Sequence, residues 1–384
     1  MRTRTRTTTV ALSGLLTAAV ALSGCGSDEA DQAAAPVTAP LAVTYDGGIY
    51  LLDPDTLATT GEIALEGFNR LNPAGDDRHM LVSTSDAFRV LDAVEGRFTG
   101  VDFPAAKPGH VVGHAGRTVL FADGSGEVTS FDPEQLGAEQ PETQVYQAPA
   151  PHHGVALEMA NGELVLTVGT EEARTGIVVL DADRKEIARN EDCPGVHGEA
   201  TAQGEAVVVG CQTGALIYRD GAITKVTSPT PYGRIGNQAG SEVSPIVLGD
   251  YKQDKDAELE RPQQISLIDT TNATLRLVDL GTSYTFRSLA RGPQGEALVL
   301  GTDGKIHVID PVAGTVTTTI AVIDPWQEPL EWQQPRPALF VRDGIAYVTD
   351  TAKKAVHRVD LASGAVTASA ELPESPNELS GVSS

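Results

Sequence analysis

A short β-rich run that ends in an aspartate and a turn recurs through this chain, and few folds can use such a repeat. It appears as "IYLLDPDT", "FRVLDAVEG", "VTSFDPEQ", "IVVLDADRK", "LIYRDGA", "ISLIDTTN", "IHVIDPVAG" and "VHRVDLASG". The landmark aspartates are Asp53, Asp92, Asp132, Asp181, Asp220, Asp269, Asp310 and Asp360, at spacings of 39, 40, 49, 39, 49, 41 and 50 residues. A β-rich unit of that period, with abundant turn residues (39 glycines), is the signature of propeller blades. The expected architecture is all-β: a single β-propeller of eight blades, or seven if one motif is irregular, occupying residues 41–384.

Within a unit, alternation and turn signals mark the strands, as in "HVVGHAG", "RTVLFADG" and "GEVTSFD", followed by a less regular fourth strand. The first unit, from Leu41, supplies only the second, third and fourth strands. The missing inner strand has a candidate at the other end of the chain, "SPNELSGV" (375–382). Pairing it with the N-terminal strands would close the ring and remove an exposed sheet edge. The long connection at 249–264 reads as a surface excursion inside one blade.

The N-terminus sets the compartment. Arg2, Arg4 and Arg6 lead into an apolar run that ends in "LSGC", the pattern of an export signal with a lipobox-like end. Residues 1–24 are therefore expected to be a lipoprotein signal peptide and Cys25 the lipidated residue. The polar, proline-bearing segment 25–40 is expected to be a flexible tether. The protein would be exported and anchored to the outer face of the cell membrane through lipid alone, since no later stretch is apolar for long enough to span. The formal charge is −24, and −27 once the leader takes its three arginines with it. That balance argues against nucleic acid and against a basic patch for anionic lipid. A monomer is expected.

Ligands of propellers sit in or above the central channel, at the start of the inner strands and the end of the second strands. These positions share one face because the two strands are antiparallel neighbours. In the third unit the turn lies near Gly116, which puts His110 and Asp123 at the same mouth. The next unit has its turn at Asn161 and Gly162, with His152 and His153 just ahead of its inner strand. The one after turns at Gly204, with His197 seven residues before. Three consecutive blades thus bring histidines to one end of adjacent inner strands. Neutral imidazoles with a carboxylate suit tetrahedral Zn2+. The candidate ligands are His110, Asp123, His153 and His197, with His152 and Glu199 as alternates. His114 is expected mid-strand and packed, while His79, His307 and His357 fall elsewhere in their repeats. Trp326 and Trp332 flank a connection at the mouth.

Cys193 and Cys211 are the two thiols left for an oxidising compartment, where pairing is the rule. Cys211 ends a second strand at the face where Cys193 leads into an inner one. A disulfide between them would hold the Pro194-Gly195 lead-in to His197. A thiolate metal site and a catalytic Cys-His pair are the competing readings.

The segments "PGHVVGHAGRTVLFADGSGEV", "APHHGVALEMANG" and "CPGVHGEATAQGEAVVVGC", with the generic "AYVTDTAKKAVHRVDLASG", resemble the AztD-type zinc metallochaperones, extracytoplasmic β-propellers associated with zinc ABC importers. The resemblance covers nearly the whole mature chain. It implies zinc held by His110, His153 and His197 with Asp123 alongside, and handed to the solute-binding protein of an importer. No histidine-rich N-terminal segment is present, so a second, looser zinc site is not expected. Two other classes compete: a metal-assisted lyase or hydrolase with a channel histidine as base, and a metal-free interaction propeller, since the fold alone fixes no function.

Overall fold

The structure, a computed structural model, describes residues 37–383. The signal segment, Cys25 and the tether as far as residue 36 lie outside the described residues. Thirty-two strands form eight four-stranded antiparallel sheets, so the ring has eight blades. Blade 1 is built from Leu379–Gly381, Leu41–Tyr45, Gly47–Leu52 and Thr59–Leu65. Blades 2 to 8 follow at 70–104, 108–147, 156–190, 197–227, 238–279, 289–321 and 339–371. Among the described residues, no helix is long and apolar enough to cross a membrane.

The recurring aspartate has a physical job. Asp53 accepts the backbone N–H groups of Asp55 and Thr56, Asp92 those of Val94 and Glu95, and Asp310 those of Val312 and Ala313. The carboxylate closes the turn between the third and fourth strands by standing in for a backbone acceptor. Asp220 differs. It sits with Gly221 in a two-residue hairpin joining Arg219 to Ala222, both residues at positive φ (51° and 79°), the mirror-image turn that matches strand twist. One motif in the sequence therefore covers two turn chemistries.

Apolar side chains interleave between neighbouring blades. Between blades 4 and 5 a cluster of Leu157, Val165, Ile177, Val179, Val207, Val209 and Tyr218 surrounds Cys193 and Cys211. Each blade buries both faces this way, so the inner strands are held side by side around the channel. The expected excursion leaves blade 6 between Ile246–Asp250 and Gln264–Asp269.

The seam closes as the sequence suggests. Leu41, Ala42 and Val43 pair antiparallel with Gly381, Ser380 and Leu379, and Thr44 exchanges further hydrogen bonds with Glu378 and Asn377. Arg287 of the lead-in to blade 7 locks the strand. It donates to Glu378 Oε1 at 2.6 Å and to the Asn377 carbonyl at 3.1 Å. Arg287 and Glu378 are both nearly sealed from solvent, and removing one partner of such a pair leaves the other buried and uncompensated. Arg287→Met is expected to lower unfolding free energy by about 3 kcal/mol, read by urea denaturation; an unchanged midpoint would show that the pair does not hold the seam.

Candidate metal centre

Each site histidine is placed by a local departure from regular strand. His110 lies in Pro108–His114, where the pairing register shifts between Pro108 and Val111. The neighbouring Gly109 makes room: a Cβ there would fall 2.1 Å from Asp123 Oδ1, so only glycine lets that carboxylate come so close to the strand. His197 opens His197–Ala202, and the register shifts again across Gly198, whose φ is +70°. A Cβ on Gly198 would meet Gln238 Oε1 at 2.2 Å and the Gly236 carbonyl at 2.7 Å. His153 sits in the short segment before the inner strand Ala156–Glu158 of blade 4.

The three rings converge. Their centroids are 5.2 Å apart for His110 and His153, 5.4 Å for His110 and His197, and 4.9 Å for His153 and His197. One ring nitrogen from each lies within 4.8 Å of the others. His153 is the exposed member, while His110 and His197 are half-buried. The hydrogen bonds define the tautomers. His197 Nδ1 faces the Gly236 carbonyl at 2.5 Å, which can only accept, so the proton of the neutral ring is on Nδ1. His153 Nδ1 faces Asp123 Oδ2 at 2.5 Å, and an ionised carboxylate imposes the same tautomer. With both rings neutral, both Nε2 atoms carry lone pairs, and they face each other across 2.9 Å. Two lone pairs so placed repel unless a cation stands between them.

On two of the three rings the surroundings disfavour a proton. Burial, then the charges of His197 and His153, holds His110 well below the usual imidazole range. Burial pushes His197 down to about 3, against the opposing pull of the Gly236 carbonyl. Imidazoles that resist protonation keep their lone pairs free for a metal.

The remaining candidates take other parts. Asp123 lies on the nitrogen of His153 remote from the cluster, and its Oδ1 also accepts the Gly154 N–H at 3.3 Å; the structure gives it an orienting position. His152 is buried with both nitrogens occupied, by the Ala150 carbonyl at 2.9 Å and Thr167 Oγ1 at 3.0 Å. It fixes the segment that presents His153. Glu199 lies further down the same strand as His197, lining a channel cavity of about 330 Å³ with His114, Thr201, Gln238 and Glu242. Burial raises its carboxyl to about 8, and it is not among the gathered nitrogens. His114 is not mid-strand as expected: it ends its strand beside the hairpin turn and bonds Glu205 at 2.9 Å. His79, His307 and His357 are engaged with Asp76, Asp303 and Ser369. The Trp326 indole donates to the Gly301 carbonyl, and Trp332 meets Phe68 edge-on at 5.0 Å.

Cys193 and Cys211 form a disulfide, with Cα atoms 4.9 Å apart. Both sulfurs are thereby spent, so neither a thiolate metal site nor a Cys-His pair is formed. The bridge holds the expected segment. The Cys193 N–H donates to Thr175, Gly195 to Arg174, and Gln212 to the Pro194 carbonyl, which fixes the approach to His197. Sequence reasoning missed the Gly236 carbonyl, a backbone group brought from the next blade, and two arginines beside the cluster, Arg174 and Arg234.

No family model matches the chain. The zinc chaperone AztD of Citrobacter koseri is 26% identical over 283 residues, which is 71% of this chain and 65% of that protein. The alignment thus spans just under two thirds of the relative's length. The structure of apo AztD from Citrobacter koseri superimposes with a TM-score of 0.77 at 22% identity, covering 91% of this chain and 99% of that one. The chain is AztD-like. A further propeller, the dihydro-heme d1 dehydrogenase NirN, matches at a TM-score of 0.56 and 14% identity over 89% of this chain and 74% of its own, a likeness of fold alone. In the AztD-like chain the bridge closes a separation of 18 residues. Replacing both cysteines by alanine is expected to cost about 3 kcal/mol of stability, measured by denaturant unfolding against the oxidised parent; a loss near zero would count against the clamp.

Proposed function

We propose that this propeller is a carrier of zinc, holding one Zn2+ as cargo on His110, His153 and His197 at the mouth of the channel. The observation that carries the reading is the pair of Nε2 atoms of His153 and His197, facing each other at 2.9 Å with a third imidazole beside them. Zinc takes neutral imidazole at about 2.0–2.1 Å, which suits a cluster of this span after sub-ångström to ångström adjustments. Asp123 and the Gly236 carbonyl act on the far nitrogens, fixing tautomer and orientation and raising ligand basicity. The Citrobacter koseri relative is named a zinc chaperone, which supports the same cargo. His153, the exposed ring, is the ligand an incoming protein would reach first, and so the one to be exchanged on transfer. The reading extends to delivery to the solute-binding protein of a zinc ABC importer, from a position at the outer face of the cell membrane set by lipid on Cys25.

Competition against a chromophoric chelator is expected to give one zinc per mature chain with a Kd below about micromolar. Asp123→Asn should weaken binding by about 10–100-fold, and His197→Ala by more. Affinity weaker than micromolar, or indifferent to His197→Ala, would sink the carrier reading. Separately, labelled palmitate is expected to enter the exported protein and to be lost in Cys25→Ala; equal labelling of both would rule out Cys25 as the anchor.

A further inference from the structure

Two positive side chains stand beside the histidine cluster outside ion-pair distance of any described carboxylate, Asp123 being the acidic group that acts on Arg174 from further off. Arg174 opens the strand Arg174–Leu180 of blade 4, and its carbonyl accepts the Gly195 N–H at 2.8 Å, so it lies against the clamped approach to His197. Arg234 comes from the lead-in to blade 6. Its guanidinium lies over Gly236, with Nη1 2.9 Å from where a Cβ would stand on that glycine, and Gly236 is the residue whose carbonyl holds His197. Both arginines are thus near enough for their charges to act on His197.

Other arginines near the inner strands are neutralised: Arg287 pairs with Glu378 and Arg336 with Glu328, each at 2.6 Å. Among the described residues, neither Arg174 nor Arg234 pairs with a carboxylate within 4.0 Å, and neither guanidinium donates a hydrogen bond. Arg174 Nη1 is sealed from solvent with no partner. An unmet buried donor on a charged group is costly enough to call for an explanation. Burial and then the charge of Arg234 lower the proton affinity of Arg174, with Asp123 opposing them, and the same two cations add to the field on His197. A divalent cation on three neutral imidazoles would add two more positive charges at this place.

We propose that Arg174 and Arg234 form a carboxylate-binding subsite over the three-histidine cluster, and that a carboxylate from outside the chain, seated there, supplies the fourth, anionic ligand to the metal. The second clause rests on the zinc reading; the first stands without it. A guanidinium fork matches a carboxylate in shape and charge. A carboxylate can give one oxygen to zinc, which accepts oxygen beside nitrogen, and keep the other for an arginine. A small free carboxylate and an aspartate or glutamate side chain of a receiving protein share this chemistry.

The test uses the mature protein with acetate and, separately, a capped glycyl-aspartyl-glycine peptide, at constant ionic strength. In the metal-free protein the Arg174 and Arg234 Nε–H resonances are followed by nitrogen-15 NMR; in the cobalt-loaded protein the visible d–d bands are followed. Saturable shifts in both are expected, with the acetate midpoint raised about tenfold or more in the Arg174→Gln/Arg234→Gln variant. The charge-keeping Arg174→Lys/Arg234→Lys variant should fall between the two. A peptide midpoint at or below that of acetate supports a side-chain source, whereas binding of acetate alone supports a free one. Resonances indifferent to both carboxylates, or a midpoint unmoved by the glutamine pair, would overturn the subsite. Arginine shifts with unchanged cobalt bands would overturn the fourth-ligand role, and failure to take up cobalt or zinc at all would instead strike the carrier reading.

Discussion

The antiparallel pairing of Leu41–Val43 with Leu379–Gly381 is the contact on which the arrangement of everything else depends. Eight blades converge only if the ring is closed, and closure here is a strand pairing made by residues more than 330 positions apart in sequence. Without it, blade 1 would present an open edge and an unpaired ladder, and its neighbours would lose the face they pack against. With it, side chains at the start of successive inner strands are brought to one mouth. His110, His153 and His197 come from three blades that share no local sequence contact, so their meeting is a consequence of the ring.

Convergence alone would give three imidazoles free to turn or protonate. The blade interfaces supply what the ring does not. The disulfide sets the approach to His197, and the Gly236 carbonyl from the next blade sets its tautomer. Asp123, carried by the preceding blade, does the same for His153. Each of these two rings is thus held by a group from a neighbouring blade, and the geometry of the cluster is coupled to blade packing. His110 makes no side-chain hydrogen bond among the described residues; its orientation rests on packing and on the other two rings.

Much of this was legible in the sequence, for reasons that can be stated. Aspartates that close turns recur because the third-to-fourth strand turn recurs, and counting them gave the eight blades even though Asp220 works by a different turn. Counting back from the hairpin turns located the three histidines because inner and second strands pair in antiparallel register. The same counting could not choose between His152 and His153. Adjacent residues point in opposite directions, and only the packing of His152 against Phe121 and Thr167 decides which one faces the channel. It set Asp123 at the mouth but could not say which nitrogen of His153 it faces. It placed His114 too far into its strand, because an Ala115-Gly116 turn brings the end of that strand closer than the glycine alone suggests. The Gly236 carbonyl was invisible, since every residue has a carbonyl and only a bulge at Gly198 brings this one into reach.

The charge of the molecule sharpens what Arg174 and Arg234 imply. The chain is strongly acidic, with a formal charge of −24, and a diffuse negative field of that kind draws divalent cations towards the surface. At the histidines two arginines outside ion-pair reach of any described carboxylate add positive charge, with Asp123 opposing them. A cation drawn in by the surface therefore meets repulsion at the place where its nitrogen ligands are. Such a site is at odds with itself while it is alone and becomes consistent once an anion enters with the metal. If that anion belongs to a receiving protein, the group that completes the coordination also neutralises the arginines. On the carrier reading, approach of the acceptor and loosening of the cargo would then be parts of one electrostatic event, the acceptor's carboxylate meeting the metal on the side of the exposed His153.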